Sequence, residues 1–349
     1  MRIVWPIVFL LAGCATLHAA SFDCAKAKTP QEKAICASLA LSTADEQMAA
    51  AYHAWLVAAE PQWTAGIRDS QRTWLNARQA QCGAELSLGQ MQTCLSDAYR
   101  ARIGDLGQMV QRLGGVTFVW RAITLTAPDE PGENPVGAPE VNPGFGTLGA
   151  SWPQSTAGTP EWAAWNEAIE DATRKSAQST GDSAAVEPSQ WKAAADVDSE
   201  TTVSIGTVGE QLAAATIATL WDGHGAHPDN GSVEFNWLLK QKRALRPEDI
   251  FLPTSGWDKW LQGRLDQYLH QALDAGLNQD YQSFLPPGEM QKVLQGIVIN
   301  PNSWTLDGRG LTIVFQPYEV ACYACTPSPV TIPWTDLKPY LQPGFVLPR

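Results

Sequence analysis

His224 and His227 stand three residues apart with Asp222 and Asp229 close by, the side-chain types that ligate zinc. Cys322-Tyr323-Ala324-Cys325 has the spacing of a dithiol redox pair. Neither grouping reads as catalytic. Catalytic zinc needs three fixed protein ligands and an open position, and the run Asp222-Gly223-His224-Gly225-Ala226-His227-Pro228 offers a glycine-rich turn instead of a rigid helix. Redox pairs of this spacing sit at a helix N-terminus that stabilises the thiolate, whereas residues 322–325 fall between expected strands, so a structural disulfide is the reading. The sequence contains no G-x-S-x-G, no H-E-x-x-H and no phosphate-binding glycine loop. What remains is recognition without catalysis, with no metal and no cofactor implied.

A second grouping is the stripe Gln71, Trp74, Arg78 and Cys82, spaced three, four and four, which places all four on one helix face. Packing explains it best: the indole and the Arg78 stem fill the interior while Arg78 and Gln71 enter buried hydrogen bonds. A direct contact with a partner is the competing use, so Trp74 and Arg78 stay weak binding candidates, as do His227 and Tyr318. Most of the 15 tryptophans are expected in the core by the same logic, leaving a few for interfaces.

The elements that position these groups begin with an export signal. Arg2 precedes the apolar run Ile3 to Leu11, about ten residues and too short for the ~20 of a spanning helix. Two cleavage sites compete: Leu11-Ala12-Gly13-Cys14 fits a lipobox with Cys14 lipidated, and Leu17-His18-Ala19-Ala20 offers small residues before Ser21. The lipobox is favoured because all four positions fit. Either route removes Cys14 from the thiol count, leaving Cys24, Cys36, Cys82, Cys94, Cys322 and Cys325. An even number in an exported chain implies disulfides; proximity favours 24 with 36, 82 with 94 and 322 with 325, although six cysteines allow about 15 connectivities.

At 349 residues and 44% hydrophobic content the chain has length for about two domains. Its net charge of −12 argues against nucleic acid, which needs a basic face. The charge is unevenly spread. Residues 21–112 carry nine basic and nine acidic side chains, residues 113–205 four and 13, and residues 206–349 ten and 14.

Residues 21–112 read as a helical bundle. Thr29-Pro30-Gln31-Glu32 is a capping box with proline in the first turn; a second helix starts near Ser42 or Thr43 with Met48, Tyr52 and Trp55 on one face; the third carries Gln71 to Cys82. A fourth, capped by Ser87 and Gln90, carries Cys94, Ile103 and Leu106. Residues 113–158 read as a strand, Val116 to Thr126, then a linker or long loop broken by Pro128, Pro131, Pro135, Pro139 and Pro143. Residues 159–345 read as an α+β domain. It comprises a helix with Trp162, Trp165, Ile169 and Ala172 on one face, two strands within Val203 to Leu220 and a strand near Val233 to Leu239. A helix from Trp257 to about Leu273 and strands near Gly310 to Phe315 and Val330 to Pro333 complete an antiparallel sheet with helices against it. The fold class is thus multidomain, all-α followed by α+β.

Two resemblances rest on these residues. Cys24, Cys36, Asp45, Met48 and Tyr52, the Gln71-x-x-Trp74-x-x-x-Arg78-x-x-x-Cys82 stripe, and Cys94, Arg102 and Leu106 resemble the N-terminal domain of LprI-type lysozyme inhibitors across most of residues 21–110. Tyr99 departs from that pattern, which leads one to expect a small hydroxyl residue there. The rest is similar to the extracellular domain of RsiV-type anti-sigma factors, through Gly225-Ala226-His227-Pro228, Asp249-Ile250-Phe251 and Phe315-Gln316-Pro317-Tyr318-Glu319-Val320. Cys322 and Cys325 replace the proline and glycine usual in that loop. The first resemblance implies lysozyme inhibition and the second direct binding of lysozyme, so the expected partner is lysozyme or a related muramidase. The expected setting is the periplasm or outer membrane. The alternative is an envelope structural or assembly protein that binds another protein or a glycan.

Replacing Cys14→Ser is expected to release the protein from membrane fractions and remove an incorporated acyl label. Unchanged fractionation and label would assign the cleavage after Ala20 instead.

Overall fold

A computed structural model describes residues 20–83, 85–128, 145–179, 197–223, 227–274, 284–286 and 288–347. The expected export signal with Cys14, the prolines at 131, 135, 139 and 143, and His224 lie outside the described residues. The chain divides into two compact units. The first takes the described residues of Met1–His53 with Asn76–Gly107, and the second takes Ala54–Leu75 with those of Gln108–Arg349. No helix among the described residues is long and apolar enough to cross a membrane.

Four helices occupy residues 30–107: α1 Pro30–Cys36, α2 Leu39–Ala58, α3 Thr64–Gln81 and α4 Leu88–Gly107. The capping box before α1 forms as read, since Glu32 N–H donates to Thr29 Oγ1 while the Glu32 carboxylate accepts from Thr29 N–H. Those bonds hold the Glu32 carboxyl below its usual range. Helix α2 begins at Leu39, three residues before Ser42. The Ser42 hydroxyl does not cap it; it is buried and donates to the Ile35 carbonyl at 2.9 Å, tying α2 back to α1. The Ser87 and Gln90 cap of α4 also forms. Along α4 the buried stripe is Met91, Leu95, Tyr99 and Leu106. Ile103 lies on the same stripe and Cys94 one position before Leu95, and both are only half-buried. Disulfides Cys24–Cys36 and Cys82–Cys94 each close a separation of 12 residues, and bridges of that span stabilise by about 2–4 kcal/mol each.

In the second unit seven strands pair in chain order: β1 Val110–Leu113, β2 Val116–Pro128, β3 Phe145–Ser155, β4 Asp198–Val208, β5 Leu212–Asp222, β6 Asp229–Leu238 and β7 Arg243–Ala244. Neighbours are antiparallel except β3 and β4, which run parallel over four residues. Residues 145–155, which the sequence reading places in a proline- and glycine-rich loop or linker, are corrected to a strand paired with β2 from Phe118↔Ser155 to Pro128↔Phe145. Its run Gly-Thr-Leu-Gly-Ala-Ser-Trp-Pro is poor in β-formers, and pairing with β2, rich in β-branched and aromatic residues, supplies what propensity lacks.

One face of the sheet packs on α5, Pro160–Ser179, whose Trp162 and Trp165 meet Phe118 with all three centroid distances at 5.5 Å. Small residues oppose large ones across β5 and β6, with Ala213 opposite Trp237 and Ala215 opposite Phe235, which makes room for those rings. Where β3 and β4 diverge, side chains take over strand pairing. Asn166 of α5 exchanges hydrogen bonds with the Ser155 backbone, and Trp120 Nε1 donates to the Val203 carbonyl at 3.1 Å. The 54–75 segment joins the same layer: Trp55 Nε1 donates to the Trp120 carbonyl at 2.7 Å. Arg121 lies 3.8 Å over the Trp63 ring and donates to Glu170.

The other face carries the C-terminal layer: α6 Pro247–Ile250, α7 Trp257–Leu269, α8 Glu289–Ile299, and a three-stranded sheet of β8 Trp304–Leu306, β9 Gly310–Ile313 and β10 Val330–Pro333. Its core includes Leu261, Leu265, Leu294, Val298 and Trp304, all completely buried. Alternate side chains of β6 reach this layer in turn. Asn236 Nδ2 donates to the carbonyls of Trp304 and Pro301. The buried Glu234 carboxylate accepts from the hydroxyls of Thr216 and Thr305 at 2.8 and 3.0 Å.

Burial pushes the Glu234 carboxyl above its ordinary value, against the pull of the two threonines. A raised folded pKa gives stability that is complete at low pH and falls as pH climbs through the folded value. Glu234→Gln keeps an acceptor for the threonines without the charge. The variant should melt above wild type at pH 7, by about 2–4 °C per kcal/mol recovered, with the gap closing near pH 4. Equal melting curves at both pH values would contradict this.

Candidate binding site

The loop after β9 holds Tyr318, the most exposed phenylalanine, tyrosine or tryptophan among the described residues of the second unit. Gln316 to Glu319 make a tight turn closed by Glu319 N–H to the Gln316 carbonyl at 3.2 Å and by Gln316 N–H to Glu319 Oε2 at 2.9 Å. Burial raises the Glu319 carboxyl, and the bond from Gln316 N–H draws it back. Tyr318 sits in this turn at φ 61°, left-handed backbone that favours glycine, and the residue is 52% exposed. A left-handed residue bearing a Cβ costs about 1–2 kcal/mol. The following residues Val320 and Ala321 are buried and anchor the turn in the core.

Three rings converge here. His227 stacks on Tyr323 with centroids 4.2 Å apart, Tyr318 lies 5.7 Å from Tyr323, and Tyr318 Oη is 3.3 Å from His227 Nε2. His227 Nδ1 is 2.9 Å from the Pro228 carbonyl, which can only accept. Nδ1 therefore carries the proton in neutral His227, and Nε2 accepts from Tyr318. Asn230 Nδ2 donates to Tyr323 Oη at 2.7 Å, and Gln316 brackets Ser232 through both its backbone N–H and its hydroxyl. Cys322–Cys325 is a disulfide, as read, around the short helical turn Tyr323–Cys325.

Inside this rim an open groove of about 580 Å³ lies over the C-terminal-layer face of the sheet. Its floor includes Glu200 and Thr202 of β4, Ala218 of β5 and Ser232 of β6, and its wall includes Gln316 and Tyr323. At the same end of the sheet Asp198 is directly opposite Asp222, and Asp229 opposite Trp221. Among the described residues no three His, Cys, Asp or Glu are placed to hold a metal ion.

Of the four candidates, the structure joins His227 and Tyr318. Trp74 and Arg78 belong to α3. Trp74 is half-buried; Arg78 Nη1 donates to Tyr99 Oη at 2.6 Å, and Tyr99 Oη donates to the buried Asp45 at 2.6 Å. Asp45 also accepts from Ser21 N–H at 2.7 Å. Desolvation pushes the Tyr99 hydroxyl well above its ordinary value, keeping it a neutral donor. Tyr99 thus keeps the hydroxyl expected at this position and fills the interior with a ring. Sequence reasoning missed Tyr323, Gln316 and Asn230. The first two lie in or beside the quoted motifs, but strand register alone brings Asn230 to them.

Residues 24–106 match the model of the family described as "Lysozyme inhibitor LprI", and residues 248–335 match that of "Protein of unknown function (DUF3298)". The chain is similar to each over that stretch. Among solved structures it is similar to a DUF3298 family protein from Pseudomonas aeruginosa PAO1, at 16% identity and TM-score 0.46, covering 66% of this chain and 97% of that one. A DUF3298 family member from Bacteroides fragilis nctc 9343 follows at 15% identity and TM-score 0.41, covering 67% and 96%. No curated protein matches.

Left-handed backbone at residue 318 predicts that Tyr318→Gly is more stable than Tyr318→Ala by about 1 kcal/mol, because both lose the ring and only alanine keeps the Cβ strain. Urea denaturation of the two variants checks it. An alanine variant at least as stable as the glycine variant would place residue 318 outside the left-handed region in solution.

Proposed function

We propose that this chain is an exported cell-envelope protein that binds lysozyme or a related muramidase and inhibits it by occluding the cleft, with no chemistry of its own. The observation that carries this reading is the match of residues 24–106 to the lysozyme inhibitor LprI model. Three disulfides suit an oxidising compartment. The resemblance of the second unit to RsiV-type extracellular domains points to the same partner, and its motifs include His227 and Tyr318.

The contact surface in this reading is the Tyr318, His227 and Tyr323 cluster. An exposed tyrosine held rigid by its turn gives large contact area at low entropic cost, as interface hot spots do. Carboxylates at the neighbouring sheet end provide steering. Animal-type lysozymes are strongly basic, and the −12 chain attracts them over a range that salt shortens from ~10 Å at 0.1 M to ~3 Å at 1 M.

Association kinetics of the full chain with an animal-type lysozyme test this. The on-rate should fall with rising salt, and Tyr318→Ala should weaken affinity by about 30-fold, the effect of a 2 kcal/mol hot spot. Trp74→Ala should change it by less than about threefold. If a folded Trp74→Ala loses binding while Tyr318→Ala keeps it, the contact belongs to the helical region and the inhibitor reading stands. Absence of binding by wild type ends the reading.

A further inference from the structure

We infer that the groove beside Tyr323 is a second binding site, for an uncharged, hydroxyl-rich ligand of the size of a short oligosaccharide. The inference is argued from the groove's own lining and does not rest on the lysozyme reading, although the two surfaces share Tyr323. A cavity of about 580 Å³ lies within the ~300–1,000 Å³ usual for small-ligand sites.

The chemistry of the lining selects among ligand classes. Anions are disfavoured, because the described lining includes Glu200 and no lysine or arginine. Peptide strand addition needs a free sheet edge; β5 in the middle of the floor is paired on both sides, and on the outer edge of β6 the Ser232 N–H is already taken by the Gln316 side chain. What remains is an amphipathic surface. Thr202, Ser232, Thr326 and Gln316 present hydroxyls and an amide, while Ala218 and Phe315 present apolar atoms between them. A sugar ring has that same division, with hydroxyls at its edge and C–H groups on its face, and aromatic side chains receive the apolar face.

Tyr323 provides the aromatic wall, and it is held from three sides. Its hydroxyl accepts from Asn230, its ring is stacked by His227, and its carbonyl accepts from Thr326 Oγ1 at 2.8 Å. The flanking Cys322–Cys325 disulfide closes the turn that carries it. Floor and wall are linked through Gln316 and Ser232, so the groove is preformed, which lowers the ordering cost of binding.

Titration of the full chain with chitotriose, followed by calorimetry and by tyrosine and tryptophan fluorescence, tests the site. Saturable binding with Kd of about 1 mM or tighter is expected. Tyr323→Ala should weaken it at least tenfold, and Thr202→Val, which removes one exposed floor hydroxyl at constant shape, severalfold. Trilysine, probing a site for basic peptide side chains, should not bind. No saturation by chitotriose up to about 10 mM, indifference to both substitutions, or saturable binding of trilysine would each overturn the proposal. Lysozyme binding is read on Thr202→Val, which lies outside the Tyr318, His227 and Tyr323 cluster, so either result can fail alone.

Discussion

One strand registers the second unit. Along β6, every second side chain bonds a different piece of the C-terminal layer: Leu238 enters its core, Asn236 holds the Trp304 and Pro301 carbonyls, and Glu234 holds Thr305. Ser232 then meets Gln316, and Asn230 meets Tyr323. The alternate side chains Val233, Phe235 and Trp237 face the opposite way, into the core beneath α5. The period of two in an extended chain is what allows this, and a one-residue slip would exchange the two sets. Buried polar groups are costly without partners, so the bonds made by Asn236 Nδ2 and by Glu234 favour a single placement of the layer above them.

The groove follows from the same ladder. At the Leu238 end the sheet face is sealed by apolar packing, and at the Asn230 end the contacts are long polar side chains reaching a loop. Floor residues between them stay accessible, and the loop that makes the wall also carries Tyr318 outward. Strain at residue 318 is compatible with this because Val320 and Ala321 beneath it are buried and the Gln316 to Glu319 bonds close the turn. A recognition surface and the core that supports it are thus consecutive in sequence.

Much of the fold is legible from residue patterns. The Thr29 to Glu32 capping box, the strands at Val116, Val203, Val233, Gly310 and Val330, and the three disulfide pairs all appear as read. Those signals are local: a cap, an alternation, a short cysteine spacing. The strand at Phe145–Ser155 was not legible, because its glycines and proline oppose strand propensity and its order comes from β2, on the far side of the proline-rich run. Helix α8 and strand β8 were likewise missed, their apolar residues being fixed by a core assembled from distant segments. At the site, His227 and Tyr318 were visible as residue types within motifs, whereas their meeting across 91 positions is a product of topology. Arg78 was legible in its structural role, tied into a hydrogen-bonded interior through Tyr99.

Capture of a muramidase without any chemistry performed on it is the behaviour on which the proposed function stands or falls. Calorimetric titration of the full chain into an animal-type lysozyme, with cell-wall lysis assayed on the same mixtures, tests it. The expected result is a saturable complex of fixed stoichiometry, loss of lytic activity in proportion to the complex formed, and recovery of both proteins with unchanged mass. Absence of heat at micromolar concentrations, or full lytic activity in the saturated complex, would contradict it.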